Sequence, residues 1–320
     1  MSRNFGLGSR DMGTAGQYAL NNSARDGAVS FCTAATNGDR WESFAAWAKD
    51  EGVKKMENVT PELVKEYGQE LAEKVKNGEM AASTAQNYVS AVNSVMNIAT
   101  NNEWKSVSPT KDCGIDQRSH VREDAPGALD RDASARAVEA VRAEVGERAG
   151  AVVELCRELG LRSKEASLID ARAALAEAQE RGAITVDAGT KGGREREVTI
   201  TSEAQVQALE RAASAQGGDR SMVPEGQSWA SWREGELRDA RELVQATTGG
   251  GLHDLRAAYA CERYQELTGH AAPCAGGEIS DRDRDAAARM ADLLTLSSTW
   301  LSNCWKFFSK RWATSRAALS

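Results

Sequence analysis

A mainly α-helical fold with one small β-hairpin, divided into two helical parts by a polar connector, is what this 320-residue sequence predicts. Three observations carry that expectation. Apolar residues recur at helical spacing through most of the chain. One pair of short runs, 183–186 and 194–200, alternates as strands do and flanks the turn Thr190, Lys191, Gly192, Gly193. Between the two helical regions, residues 106–127 turn polar, with Pro109, Pro126, Asp112, Asp116 and Asp124.

Composition narrows the function classes. Hydrophobic residues make up 41% and charged residues 27%, the balance of an ordinary globular protein with enough chain for two cores. No run of about 18 apolar residues appears, so no membrane span or membrane partner is expected. The N-terminus lacks the apolar centre of a secretory signal, and the expected location is the cytoplasm. Six cysteines are scattered without metal-ligand spacing and read as reduced, mostly buried thiols. With only three histidines besides, neither a metal centre nor a cofactor is expected. The net charge of −7 counts mildly against nucleic acid as a partner, although a local basic face is what such binding needs.

Residues 1–36, rich in Gly, Ser, Asn and Ala, read as an N-terminal arm with a short helix around 17–31. A helical domain is expected over 37–105. Trp41, Phe44, Ala45 and Trp47 form an aromatic stripe at helical spacing, most simply a core. Thr60 and Pro61 supply an N-cap and a first-turn proline for a helix through Val64, Tyr67, Leu71 and Val75, stopped at Asn77 and Gly78. A further helix follows Ser83 and Thr84 and carries Val89, Val92, Val95 and Met96, which completes a small bundle. At its start Ser83, Thr84, Gln86 and Asn87 are either capping residues or groove-reading contacts.

After the linker at 106–127, a second domain is expected over 128–290. It opens with one long helical pattern, 133–159, closed by Gly160. Another helix starts at Ser163, the hairpin follows, and helices are expected at 202–213 and 229–245 and from His253 to about residue 267. On the returning strand, alternation puts Arg194, Arg196, Val198 and Ile200 on one face. His253 and Arg256 lie three apart, so both leave the same helix face and suit a phosphate oxygen and a proton transfer. Alone, such a pair is common.

Three segments in order change its weight: Gly160 to Ala166 (GLRSKEA), Thr190 to Arg194 (TKGGR), and His253 to Arg256 (HDLR). They resemble the catalytic domain of tyrosine recombinases, the phage-integrase family, and the helical first domain resembles that family's core-binding domain, of the SAM-like kind. The flavour is that of integrases of conjugative elements and genomic islands. The resemblance spans about residues 37–290. It implies an α+β catalytic domain, double-stranded DNA as partner, DNA contacts at Ser83, Thr84, Asn87 and Arg194, and a homotetramer on paired sites.

It also implies the chemistry. Arg162 and Arg256 would stabilise charge on the non-bridging phosphate oxygens. Lys191 would protonate the leaving 5′-oxygen, and His253 would assist proton transfer. Glu165 would support the first arginine. A tyrosine would form a phosphotyrosyl intermediate without metal or ATP. Each residue has a plainer reading: Arg162 as a helix-end arginine, Lys191 as a turn lysine, Arg256 paired with Glu262 or Asp254.

The pattern fails at its end. Gly269 and His270 come too early for the family's second histidine, and no tyrosine follows Tyr264. Tyr259 and Tyr264 read as core residues. Residues 291–320 form an atypical tail holding Trp300, Trp305 and Trp312, and the expectation is a recombinase truncated or inactivated by frameshift or fusion. The alternative is a non-catalytic DNA-binding relative that competes with, or regulates, an intact recombinase. A helical scaffold with no DNA role is the third reading, favoured only by the acidic net charge.

Overall fold

The computed structural model describes residues 3–118 and 122–277, and the chain divides into two compact units, Met1–Ser119 and His120–Ser320. The predicted atypical tail at 291–320 and the residues from 278 to 290 lie outside the described residues.

The first unit holds four helices, α1 (Met12–Arg25), α2 (Phe31–Asp50), α3 (Pro61–Lys76) and α4 (Ala82–Ala99). Its core centres on Trp41, Phe44 and Tyr67, with Phe44 meeting Tyr67 edge-on at 5.2 Å between ring centroids. The helix starts follow local rules. Asp11, Ser30 and Thr60 each accept a backbone N–H of the turn they open, and Pro61 occupies the first turn of α3.

The expectation of an N-terminal arm over 1–36 is corrected here. Those residues contain α1 and the start of α2, and Met12, Ala15, Leu20 and Ala24 are buried in the core. The cause is Trp41. A fully buried indole needs cover and a hydrogen-bond partner, and its Nε1 donates to the Met12 carbonyl at 3.0 Å. The stretch expected as a linker is also partly packed. Val107, Cys113 and Ile115 are buried in the same core, and the Asn93 amide both donates to and accepts from the Val107 backbone.

Among the described residues of the second unit, a core that includes Val141, Val152, Leu155, Ile184, Val198, Trp232 and Leu255 joins eight helices and a hairpin. The helices are α5 (Arg131–Glu144), α6 (Glu147–Glu158), α7 (Ser163–Leu168), α8 (Ala171–Arg181), α9 (Glu203–Gln216), α10 (Trp229–Glu234), α11 (Glu236–Thr248) and α12 (Leu252–Thr268). The hairpin pairs β1 (Ala183–Val186) with β2 (Arg196–Thr199) antiparallel, with Ile184 opposite Val198 and Val186 opposite Arg196.

Two helices expected as continuous are broken. The pattern at 133–159 divides at Val145 and Gly146 into α5 and α6, which pack side by side. The pattern at 229–245 divides at Gly235 into α10 and α11. Apolar periodicity continues through both breaks, so a bend that folds two helices onto one core leaves the spacing intact. No described helix is long and apolar enough to cross a membrane.

Candidate active site

The site is built on the turn between α6 and α7 and on the first turn of α12. Leu159 and Leu161, both fully buried, anchor the turn on either side of Gly160. Gly160 has φ +60°, and a Cβ there would lie 2.2 Å from the Tyr259 ring of α12, so only glycine lets the turn press onto that helix. Arg162 then caps α7 from outside. Its backbone N–H and its Nη1 both donate to the Glu165 carboxylate, at 2.8 and 2.6 Å.

Glu165 is 0% exposed and is shared: Arg196 of β2 also donates to it through Nη2. Burial opposes ionisation of this carboxyl, but the Arg196 charge and the Arg162 amide and guanidinium outweigh it and hold the group below the ordinary carboxylate range. Arg196 is 5% exposed, and its Nε and Nη1 have no hydrogen-bond partner among the described residues. Burial lowers its pKa, with Glu165 acting in the opposite direction.

Arg256, 2% exposed, reaches back from α12 and donates through Nη1 to the Gly160 carbonyl. It is therefore not the solvated partner of Glu262 or Asp254 that a plain reading of the sequence allows. Glu262 instead binds Arg157 and Arg131, and Asp254 binds Arg122 and the Ala128 N–H. Burial first, then the charges of Arg196 and Arg162, bring the Arg256 pKa down to about 10, so it stays protonated at neutral pH.

His253 sits exposed on the first turn of α12, where helix N–H groups favour anions. Surrounding protein, then the positive charges of Arg256, Arg162 and Arg122, lower its pKa from the usual 6.5, against the pull of Asp254. The imidazole is thus neutral at pH 7 and able to accept a proton. A titration of the His253 ring protons by NMR, assigned with His253→Gln, is expected to give a midpoint below 6.5. Because the unfolded chain takes up this proton first, the histidine makes stability decline as pH falls below 6.5, and His253→Gln removes that contribution. A midpoint above 6.5 would contradict the crowding of positive charge around the ring.

The hairpin brings Lys191 to the same neighbourhood by its backbone. Lys191 opens the short turn Lys191–Gly193, and Gly189 just before it packs against the Lys164 carbonyl of α7. Arg194 is exposed beyond the turn. The neighbouring Lys164 lies over the Trp229 ring, 5.9 Å from its centroid. Ser83, Thr84 and Asn87 belong to the first unit, on the first two turns of α4. Ala81 precedes that helix without a side-chain cap, so Ser83 and Thr84 do not have the capping role the sequence allows.

Arg196 is the residue that sequence reasoning left unassigned. A signal was present: alternation put it on one face with Val198, and a charge on an inward face requires a buried partner. Tyr259 and Tyr264 are both buried, and burial pushes the Tyr259 hydroxyl pKa up.

Comparisons with known proteins bear on the fold around these residues. The family model described as Integrase matches residues 118–262. A search of curated proteins finds no match. Among solved structures, XerH site-specific recombinase bound to its palindromic difH substrate, in a post-cleavage complex, superposes with a TM-score of 0.58 at 15% identity, covering 96% of this chain and 84% of that one. The Tn1549 transposon integrase in complex with transposon right-end DNA gives 0.55 at 11% identity, covering 95% and 99%. A lambda integrase dimer bound to a COC′ core site gives 0.53 at 14%, covering 89% and 75%. The integrase match lies over residues 118–262, which include Arg162, His253 and Arg256, and the fold of the chain is that shared by these recombinase and integrase structures.

Proposed function

We propose that the chain is a site-specific DNA recombinase by construction, which engages a DNA phosphodiester between Arg162 and Arg256. The supporting observation is the meeting of these two arginines across the Gly160 turn, with His253 beside them and their positive charges opposing one another. Like charges held together in this way are relieved by an anion, and a phosphodiester supplies two non-bridging oxygens for planar guanidinium donors. Neutral His253 is suited to take up or relay a proton at the attacking or leaving oxygen, and Lys191 on the adjoining turn is suited to protonate the leaving 5′-oxygen. The XerH, Tn1549 and lambda structures, all bound to DNA, support double-stranded DNA as the partner. The dimeric lambda complex, and a tetrameric one on a Holliday junction, support assembly on paired sites.

The phosphotyrosyl step is a separate matter. The 320 residues hold no tyrosine after Tyr264. Tyr259 is packed against Gly160 and Tyr264 is buried farther along α12, so both are core residues. The burial of Tyr259 and Tyr264 favours the second reading, in which this chain binds DNA without cleaving it and competes with, or regulates, an intact recombinase.

A nicked suicide substrate separates the two readings. The expected result is a gel shift with no denaturation-resistant protein–DNA band; such a band, lost in Tyr259→Phe or Tyr264→Phe, would show that cleavage survives. In the same assay, replacing both Arg162 and Arg256 by alanine is expected to weaken binding and to reduce the salt dependence by about one counterion for the phosphate they share. Binding unchanged at low salt would favour a helical scaffold with no DNA role.

A further inference from the structure

Outside the phosphate-binding cluster, two thiols meet on the far half of the same helix. Cys261 of α12 and Cys274 of the turn Pro273–Ala275 have their Sγ atoms 3.5 Å apart. Both are free cysteines. They lie in a small apolar cluster with Tyr259, Ala260, Tyr264 and Ala272, separate from the main core of the unit.

The meeting is prearranged by the backbone. After α12 ends at Gly269, the chain closes a tight loop in which the Ala275 and Gly277 N–H groups both donate to the Ala272 carbonyl and the Gly276 N–H donates to that of Pro273. Gly276 has φ +85°, and a Cβ on Gly277 would lie 1.7 Å from the Ala271 carbonyl oxygen, so the return of the chain depends on this glycine pair. Cys274 is therefore held facing Cys261 before any bond exists between them.

The environment also favours exchange. Cys274 is half-buried and reachable from solvent, whereas Cys261 is 8% exposed. The hydrogen bond from Cys261, aided by the Arg122 charge, holds the Cys274 thiol below its ordinary pKa, while the same contact and burial push Cys261 up. One thiol is thus suited to attack and the other to resolve.

We propose that Cys261 and Cys274 form a dithiol–disulfide site that reacts with low-molecular-weight disulfides and fastens the turn after α12 to the helix carrying His253 and Arg256. The Cys274 thiolate attacks a sulfur of the oxidant, and one thiolate leaves. Cys261, giving up its proton to that thiolate or to water, then attacks Cys274 and expels the second thiol. Two cysteines are oxidised, the small disulfide is reduced to two thiols, and no other reactant is needed. The site does not depend on the recombinase reading, and its test does not involve DNA.

The test treats the full chain with glutathione disulfide and maps cysteines by mass spectrometry under non-reducing conditions, with exposed Cys32 as the internal sign that oxidant was present. The expected result is a monomer with glutathione on Cys32 and with the Cys261 and Cys274 peptides cross-linked to each other, the pair lighter by two hydrogens and released by dithiothreitol. Cys261→Ser is expected to trap Cys274 as a lasting mixed disulfide with glutathione, and Cys274→Ser is expected to leave Cys261 unmodified. A wild-type chain that keeps glutathione on Cys274, cross-links either residue elsewhere, or leaves both alkylatable while Cys32 is oxidised would overturn the proposal.

Discussion

Replacing Glu165 by glutamine is expected to lower the unfolding free energy by about 3–5 kcal/mol, the usual cost of removing one partner from a buried ion pair. The carboxylate is fully buried and is the acceptor for both Arg162 and Arg196. Glutamine keeps the shape but leaves the Arg196 charge in the interior uncompensated, where two of its N–H groups already have no partner among the described residues. Urea unfolding followed by circular dichroism measures the loss. Adding Arg196→Met removes the stranded charge and is expected to recover most of it, so the two changes should be strongly non-additive.

The same carboxyl sets a pH signature. Its folded pKa lies below the ordinary 4.5, so its stabilising effect is complete above that value and is lost as pH falls through the folded pKa. Wild-type stability should therefore fall more steeply below pH 4.5 than that of Glu165→Gln. A glutamine variant within about 1 kcal/mol of wild type would mean that the shared pair contributes no more than a typical surface ion pair.

Gly160→Ala is the second change expected to have a large effect. Alanine at φ +60° costs about 1–2 kcal/mol in the left-handed region, and forcing its Cβ into the Tyr259 ring adds about 1–3 kcal/mol of overpacking. Gly182→Ala provides the control. It has φ +68° with nothing within 4 Å of the added Cβ, so it carries the backbone cost without the collision. The difference between the two unfolding midpoints isolates the contact between the turn and α12. Because the Gly160 carbonyl receives Arg256 and the next two residues lead to Arg162, Gly160→Ala should also weaken DNA binding, whereas Gly182→Ala should not. Equal effects of the two alanines on both readouts would remove Gly160 from the site.

Much of the architecture is legible because it rests on local rules. Thr60 and Pro61 start α3 where capping and a fixed proline φ require, and the hairpin strand appears at 183–186 as its alternation predicts. The start of α12 beside His253 follows from three glycines that end the preceding helix. The breaks at Gly146 and Gly235 were less visible, because each half keeps the same apolar face. Residues 1–36 were misread as an arm because α1 is made of small residues. Ala15, Gly16 and Ala19 look featureless until Trp41 is found lying against Gly16, with both alanines buried.

By itself, the sequence determined the helical character with a hairpin, most of the helix starts, and the candidate residues Arg162, Lys191, His253 and Arg256 on which the proposed phosphate site rests. Those are properties of spacing and chemistry, and neighbours along the chain express them. Only the tertiary structure decided that Arg196 shares Glu165 with Arg162, that Arg256 holds the Gly160 carbonyl, and that Cys274 faces Cys261. Each of these joins residues on different elements. Burial and charge act through space, so their partners become visible only once the chain has folded.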